Sequence, residues 1–216
     1  MANRNQVLVT GEYYHIYNRG NSKQDIFLDK QDCIVFQQFL YSMNMEKRIT
    51  TREVGSASYS YERDEPLVSI GAYCLMSNHI HILLVQEKEN GISKFMQKLS
   101  TAYVMYFNKK YKRTGGLFEG TFKSKWAGED TYLKYLYSYI HLNPLKLKNP
   151  LWKEDLKLGK NIDFRDVLEY PFSSSVDYTG TLRNENKILN RDNFPDYFPK
   201  KEDFIKEVTS WFRVDL

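Results

Sequence analysis

The chain has 216 residues, of which 42% are hydrophobic and 27% charged. That is enough apolar material to bury a core and is ordinary for a globular protein, while a net charge of +4 argues only weakly for a polyanionic partner. No apolar run approaches the roughly 20 residues of a membrane span, MANRNQVLVTGEY lacks a signal-type apolar region, and Cys33 and Cys74 form no CxxC pair, so a cytoplasmic protein with reduced cysteines is expected.

Residues 13 to 18, YYHIYN, read as a short strand closed by the turn-forming Arg19-Gly20-Asn21. From Asp32 to Met45, Ile34, Val35, Leu40 and Tyr41 recur near helical spacing, with Phe36 and Phe39 widening the face. Residues 50 to 66 are polar and contain Gly and Ser, the composition of a loop insertion. Two apolar runs, Leu67 to Leu75 and His79 to Val85, flank Met76-Ser77-Asn78 and predict a hairpin. Ser93 to Lys112 is amphipathic, with Phe95, Met96, Leu99, Tyr103 and Tyr106 along one stripe, and Gly115-Gly116 marks its stop. Strand-like stretches follow between Leu117 and Ala127. Asp130 then offers an N-cap to TYLKYLYSYIHLN, which Pro144 ends.

Strand, helix, strand, strand, helix, strand is the split βαβ order of an α+β, ferredoxin-like fold: an antiparallel sheet with crossover helices on one face. The seventh element, the helix at 130 to 143, remains to be placed. In the strand HIHILLV, His79, His81, Leu83 and Val85 share one side, and Ile80, Ile82 and Leu84 the other. Both sides are apolar enough to need a cover, and the extra helix is the expected cover for the histidine side. Residues 1 to 150 are read as one domain, and 151 to 216 as an extension packed on it. In that extension Phe204, Val208 and Phe212 sit at helical spacing.

Two of the four histidines stand one residue apart in SNHIHILL. In a strand, such side chains are about 6 to 7 Å apart on one side and can converge on an ion. Two ligands are too few, so a third group must join them, or the pair is a satisfied core or edge feature. On the helix, Leu133, Leu136, Tyr137 and Ile140 form an apolar stripe, while Tyr132, Tyr135, Tyr139 and Asn143 form a second. If the second stripe faces the sheet, a phenol and an amide oxygen approach the imidazoles. The plainer reading makes the tyrosines packing residues and Asn143 a helix cap.

In chain order YHIYNRGN, YCLMSNHIHILL, FEGTFKSK, YIHLNPLK and YPFSSSVDY resemble the single-tyrosine HUH transposases, in their REP-associated, IS200-like branch. The resemblance runs from about residue 13 to 178; the 50 to 66 segment and the tail beyond 179 lie outside it. It implies a ferredoxin-like enzyme that acts on single-stranded DNA at hairpin-forming sites. It also implies His79 and His81 as metal ligands, Tyr139 as nucleophile and Asn143 as third ligand, with Mg²⁺ or Mn²⁺ as the ion. The implied product is a 5′-phosphotyrosine link with a free 3′-OH, in a protein favoured as a monomer, a homodimer being the alternative.

The stretch KKYKRTGGLFEGTFKSK holds six Lys or Arg against one Glu, either a phosphate-contacting strip or a solvated helix end. Arg19, Arg113, Lys123 and Lys125 are the candidate phosphate contacts, and Trp126 a candidate base-stacking residue beside Phe122. His15 reads as a structural imidazole. His141 points about 200° away from Tyr139 on a helix, and Ser173, Ser174 and Ser175 read as turn and cap residues. Beside the nicking enzyme stand two other readings: a non-catalytic module binding single-stranded nucleic acid, and a metal hydrolase with Tyr139 as bystander.

Overall fold

A computed structural model describes residues 7–47, 59–60 and 65–210. Most of the 50 to 66 insertion, and Phe212, lie outside the described residues. Strand β1 (Tyr13–Arg19) leads through a turn to helix α1 (Lys30–Ser42), then to β2 (Val68–Met76) and β3 (His79–Gln86). Helix α2 (Gly91–Lys110), β4 (Lys123–Trp126) and helix α3 (Asp130–His141) follow. The strands form one antiparallel sheet in the order β2-β3-β1-β4, the ferredoxin-like arrangement expected.

Local chemistry sets the element ends. Helix α1 starts two residues before the expected Asp32 because Asp29 caps it: Asp29 Oδ1 accepts from the Asp32 amide at 3.0 Å and Asp32 Oδ2 accepts from the Asp29 amide at 3.2 Å. Strand β2 runs on through Met76, buried and paired with His79, so the hairpin turn is Ser77-Asn78 alone. Only four residues of the 117 to 127 stretch form a strand. At α3 the cap position falls to Glu129 without a side-chain bond, and Asp130 is the first helical residue. The Asp130 carboxylate instead accepts the Tyr197 hydroxyl at 2.5 Å, still where an acid favours the positive end of the helix.

The sheet separates two cores. On one side Ile16, Ile80, Ile82 and Leu84 meet Phe36 and Leu40 of α1 and Phe95, Leu99 and Tyr103 of α2. On the other, Ala72, Cys74, Leu83 and Val85 meet Leu133, Leu136, Tyr137 and Ile140 of α3. Each fully buried large apolar side chain stabilises the fold by about 1.5–3 kcal/mol.

The chain then continues through α4 (Leu145–Lys148), α5 (Trp152–Lys157), α6 (Arg165–Leu168), α7 (Ser175–Tyr178) and α8 (Lys201–Ser210). Trp152, Val167, Tyr178, Phe204 and Val208 of these helices complete the second core. The extension therefore shares a core with α3. YPFSSSVDY also lies along the outer edge of β2: the Leu75 amide donates to the Phe172 carbonyl at 2.9 Å, and the Ser174 amide to the Tyr73 carbonyl at 3.0 Å. That covers an edge otherwise open to another strand. The three serines are buried: the Ser173 and Ser174 hydroxyls donate to the Tyr73 carbonyl and that of Ser175 to the Val167 carbonyl, and Ser174 takes the N-cap position of α7 without a side-chain capping bond. Cys33 and Cys74 are buried free thiols.

Candidate active site

Strand alternation and register decide which side chains share the α3 side of the sheet. Paired residues of neighbouring strands point the same way, and Tyr17 pairs with both His81 and Lys123, His15 with Lys125, and Arg19 with His79. His15, Tyr17, Arg19, His79, His81, Lys123 and Lys125 therefore belong to one side, beyond the apolar patch that α3 covers.

The histidines are held in distinct ways. The turn before His79 is clamped by the α1 approach: the Ile26 and Phe27 amides both donate to the Ser77 carbonyl, at 2.8 and 3.0 Å. Asn78 Nδ2 donates to the Lys23 carbonyl at 3.2 Å, which leaves Asn78 Oδ1 to accept from His79 Nδ1 at 2.7 Å. His79 is thus protonated on Nδ1 and carries its lone pair on Nε2. His81 Nδ1 lies 2.9 Å from His15 Nε2, with the rings stacked at 5.0 Å. Burial pushes His79 and His15 down to about 4, Lys146 adding to the first shift and Lys125 to the second. His81 is held well below the usual histidine value, by burial first and then by His15. All three rings are neutral near pH 7, the form that ligates metals.

Tyr139 stands over this group. Its ring is edge-on to His81 and to His15, 5.6 Å from each. Burial and then Tyr132 and Tyr17 raise its phenol above the usual value, while Lys125 works in the other direction. Tyr139 borders two cavities of about 370 Å³. One holds Arg19, Asn78, His79, His81 and Lys123; the other holds His15, His81, Lys125, Tyr132 and Tyr135. The Tyr132, Tyr135 and Tyr139 rings run as a half-buried ladder at spacings of 6.1 and 5.9 Å, with the Lys125 ammonium 4.3 Å from the Tyr132 centroid.

Asn143 is placed differently from the expectation. It is buried behind Tyr139, in a slot with Lys146, Trp152 and Lys153, and does not line the histidine cavity. Its Nδ2 donates to the Tyr139 carbonyl at 2.8 Å and its Oδ1 accepts from Lys146 Nζ at 3.4 Å. The reason is local, because the last carbonyls of α3 lack helical partners and the nearest amide side chain takes one. Among the described residues, no group of three or more His, Cys, Asp or Glu side chains is poised to hold a metal.

Two candidate DNA contacts stand apart from the site. Arg113 follows α2, its guanidinium 5.4 Å from the Phe107 ring on the opposite side of the sheet. Trp126 pairs with Tyr14, on that same far side; it is exposed, donates Nε1–H to Glu12 at 2.7 Å and lies over Gly128. Phe122 packs against the first core. Arg19 and Lys123 border the histidine cavity, Arg19 in an exposed ion pair with Glu119. His141 points away as expected, buried with Nε2 2.7 Å from Ser174 Oγ.

Two residues join the site beyond the expected set. His15, expected as a structural imidazole with an approach to the site as the alternative, alternates with Tyr17 toward the same side as the histidine pair. Lys146, seven residues after Tyr139, borders both the histidine cavity and the slot, and has no carboxylate partner among the described residues. Burial, with Lys153 nearby, holds its ammonium below the usual lysine value.

Residues 59–143 match the sequence model of the family described as Transposase IS200 like, a span that includes His79, His81, Tyr139 and Asn143. Among solved structures, the chain is similar to a REP-associated tyrosine transposase bound to a REP hairpin. The TM-score is 0.53 at 13% identity, over 86% of this chain and 90% of the other. At that identity the likeness is one of fold. No curated protein sequence matches the chain, and no helix among the described residues is long and apolar enough to cross a membrane. The resemblance read from the sequence thus meets two findings: residues 59–143 match the IS200-like transposase model, and the fold is similar to that of a REP-associated tyrosine transposase.

Proposed function

We propose that the protein is a cytoplasmic enzyme that nicks and rejoins single-stranded DNA, with Tyr139 attacking a backbone phosphate. The observation that carries this reading is the shared cavity, in which one phenol and two neutral imidazoles from a neighbouring strand meet within a single chain. That convergence within one chain also supports a monomer. In the first step the Tyr139 oxygen bonds to phosphorus, the bond to the 3′ oxygen breaks, and the phenol proton leaves as the free 3′-OH forms. A 5′-phosphotyrosine link holds the bond energy, and a 3′-OH of another strand end reverses the step. Because burial opposes the phenolate, a positive charge must develop or sit beside it.

His79 Nε2 and His81 Nε2 suit a divalent ion, with Asn143 as the third ligand once its amide releases the Tyr139 carbonyl. Such a mixed nitrogen and oxygen set favours Mn²⁺ over Mg²⁺. The ion would supply charge for the phosphate and the leaving oxygen. Lys123 and Lys125 line the β4 rim for phosphate contacts, and Arg19 joins them when a phosphate displaces Glu119. The tyrosine ladder offers a surface on which successive bases stack. A hairpin-forming substrate is supported by the REP hairpin bound to the solved structure of similar fold.

One observation favours a second reading, the non-catalytic binding module: Asn143 is turned to its own helix. A labelled single-stranded hairpin oligonucleotide with Mn²⁺ or Mg²⁺, run on a denaturing gel, decides between them. The expected result is a protein–DNA adduct that Tyr139→Phe abolishes and His79→Ala severely weakens. Binding across a panel of hairpins without cleavage would establish the module, and cleavage without an adduct a metal hydrolase.

A further inference from the structure

We propose that His15 is a positioning residue that fixes the tautomer of His81, so that both strand-borne imidazoles carry the lone pair on Nε2. The inference rests on the functional reading above, because the value of a fixed tautomer lies in what Nε2 then holds.

A neutral imidazole has one N–H and one lone pair, and a ligand nitrogen needs the lone pair. The other ring nitrogen must then give its proton to an acceptor, which locks the ring plane and raises ligand basicity. His79 has such an acceptor in Asn78 Oδ1, fixed by the bond from Asn78 Nδ2 to the Lys23 carbonyl. The nitrogen found at His81 Nδ1 is His15 Nε2, at 2.9 Å. If His15 Nε2 is the acceptor, His81 is protonated on Nδ1 and matches His79. If it is the donor, His81 carries its proton on Nε2 and presents an N–H where His79 presents a lone pair. Only the first arrangement makes the two rings act together.

The placement is built into the sheet. His15 pairs with Leu83 and Tyr17 with His81, so His15 is the diagonal neighbour of His81 on the same side of two hydrogen-bonded strands. Both residues are buried, at 5% and 6% exposure, and both border the Lys125 cavity. Tyr139 packs edge-on against both rings at the same 5.6 Å. A histidine here therefore seats the nucleophile's ring as well as its strand neighbour.

The first test needs no metal and no variant. Long-range ¹H–¹⁵N spectra of the full chain with ¹⁵N-labelled histidine report which ring nitrogens carry protons. His81 and His79 are expected with pyrrole-type Nδ1 and pyridine-type Nε2, and His15 with pyridine-type Nε2. A protonated His81 Nε2 overturns the proposal. The second test titrates Mn²⁺ by its EPR signal. His15→Phe is expected to weaken binding about 10–100-fold, the usual cost of losing such an outer partner. His15→Gln, whose amide oxygen can accept, is expected to recover most of that loss. If His15→Phe does not fold, the His15→Gln titration and the wild-type spectrum still decide. Wild-type Mn²⁺ affinity in folded His15→Phe overturns this inference alone. A wild-type protein that binds no Mn²⁺ overturns the metal-assisted reading and the purpose of His15 with it.

Discussion

The two sides of the sheet are made by the same strands and serve opposite ends. Under α1 and α2, Ile16, Ile82 and Leu84 are sealed completely. Under α3, only the β2 half is sealed, by Leu83, Val85 and the aromatic residues of the C-terminal extension. The β4 half, with His15, Tyr17, His81 and Lys125, opens onto cavities. One residue of shift along β3 moves a side chain from a sealed core to the cavity of the proposed site. The proposed chemistry falls on the stretch where α3 stops covering the sheet, and the other side holds the strands that would aim it.

Substitutions on the two sides should separate stability from activity. The largest effect is expected from Tyr139→Phe. Adduct formation measured in single turnover should fall by roughly three orders of magnitude or more, since no other oxygen replaces the nucleophile. Thermal stability should stay within about 0.5 kcal/mol, because Tyr139 is only half-buried and the exchange keeps its ring. Adduct formation at the wild-type rate would break the contrast between the sides. Next comes Ile82→Ala, which should cost about 2–5 kcal/mol in a denaturant melt. DNA cleavage per folded molecule should be preserved, and a selective loss of activity would show the two sides to be coupled.

Asp32 tests the helix side by pH. Burial works against its charge, but hydrogen bonds from Lys110, Tyr111 and the Leu28 amide outweigh it and hold the carboxyl below its usual value. A depressed carboxylate contributes stability that is fully present above its unfolded value near about 3.9 and is lost as pH falls through the lower folded one. Asp32→Asn should therefore cost about 1–3 kcal/mol at neutral pH, and its gap from wild type should narrow below pH ~4. A gap constant down to acid unfolding would mean that the carboxylate charge contributes nothing. The smallest effect is expected at the β4 rim. Lys125→Gln should weaken single-strand binding several-fold and lower the log–log salt slope by about 1, measured by fluorescence anisotropy. Arg113→Gln, on the far side, should leave that slope unchanged.

What the chain displays locally could be read without coordinates. The order of elements, the shared side of His79 and His81, the apolar stripe of α3 and the opposed direction of His141 all follow from periods of two and 3.6 residues. Trp126 shows where such reading fails. It alternates with Lys125, but which of them faces the site depended on the register that pairs His15 with Lys125 and Tyr14 with Trp126. The present placement of Asn143 was hidden for another cause, since a free helix carbonyl competes for the amide and periodicity does not rank competing partners.

By itself, then, the sequence determined the sheet, its two unlike sides and the nucleophile candidate, because each is a matter of near-neighbour spacing. Tertiary structure alone decided that His15, 66 residues away along the chain, would touch His81, that Glu119 would hold Arg19 and that Lys146 would stand beside Tyr139. The first two are contacts between distant segments set by strand register, the third depends on how the chain turns after α3, and no local pattern records them.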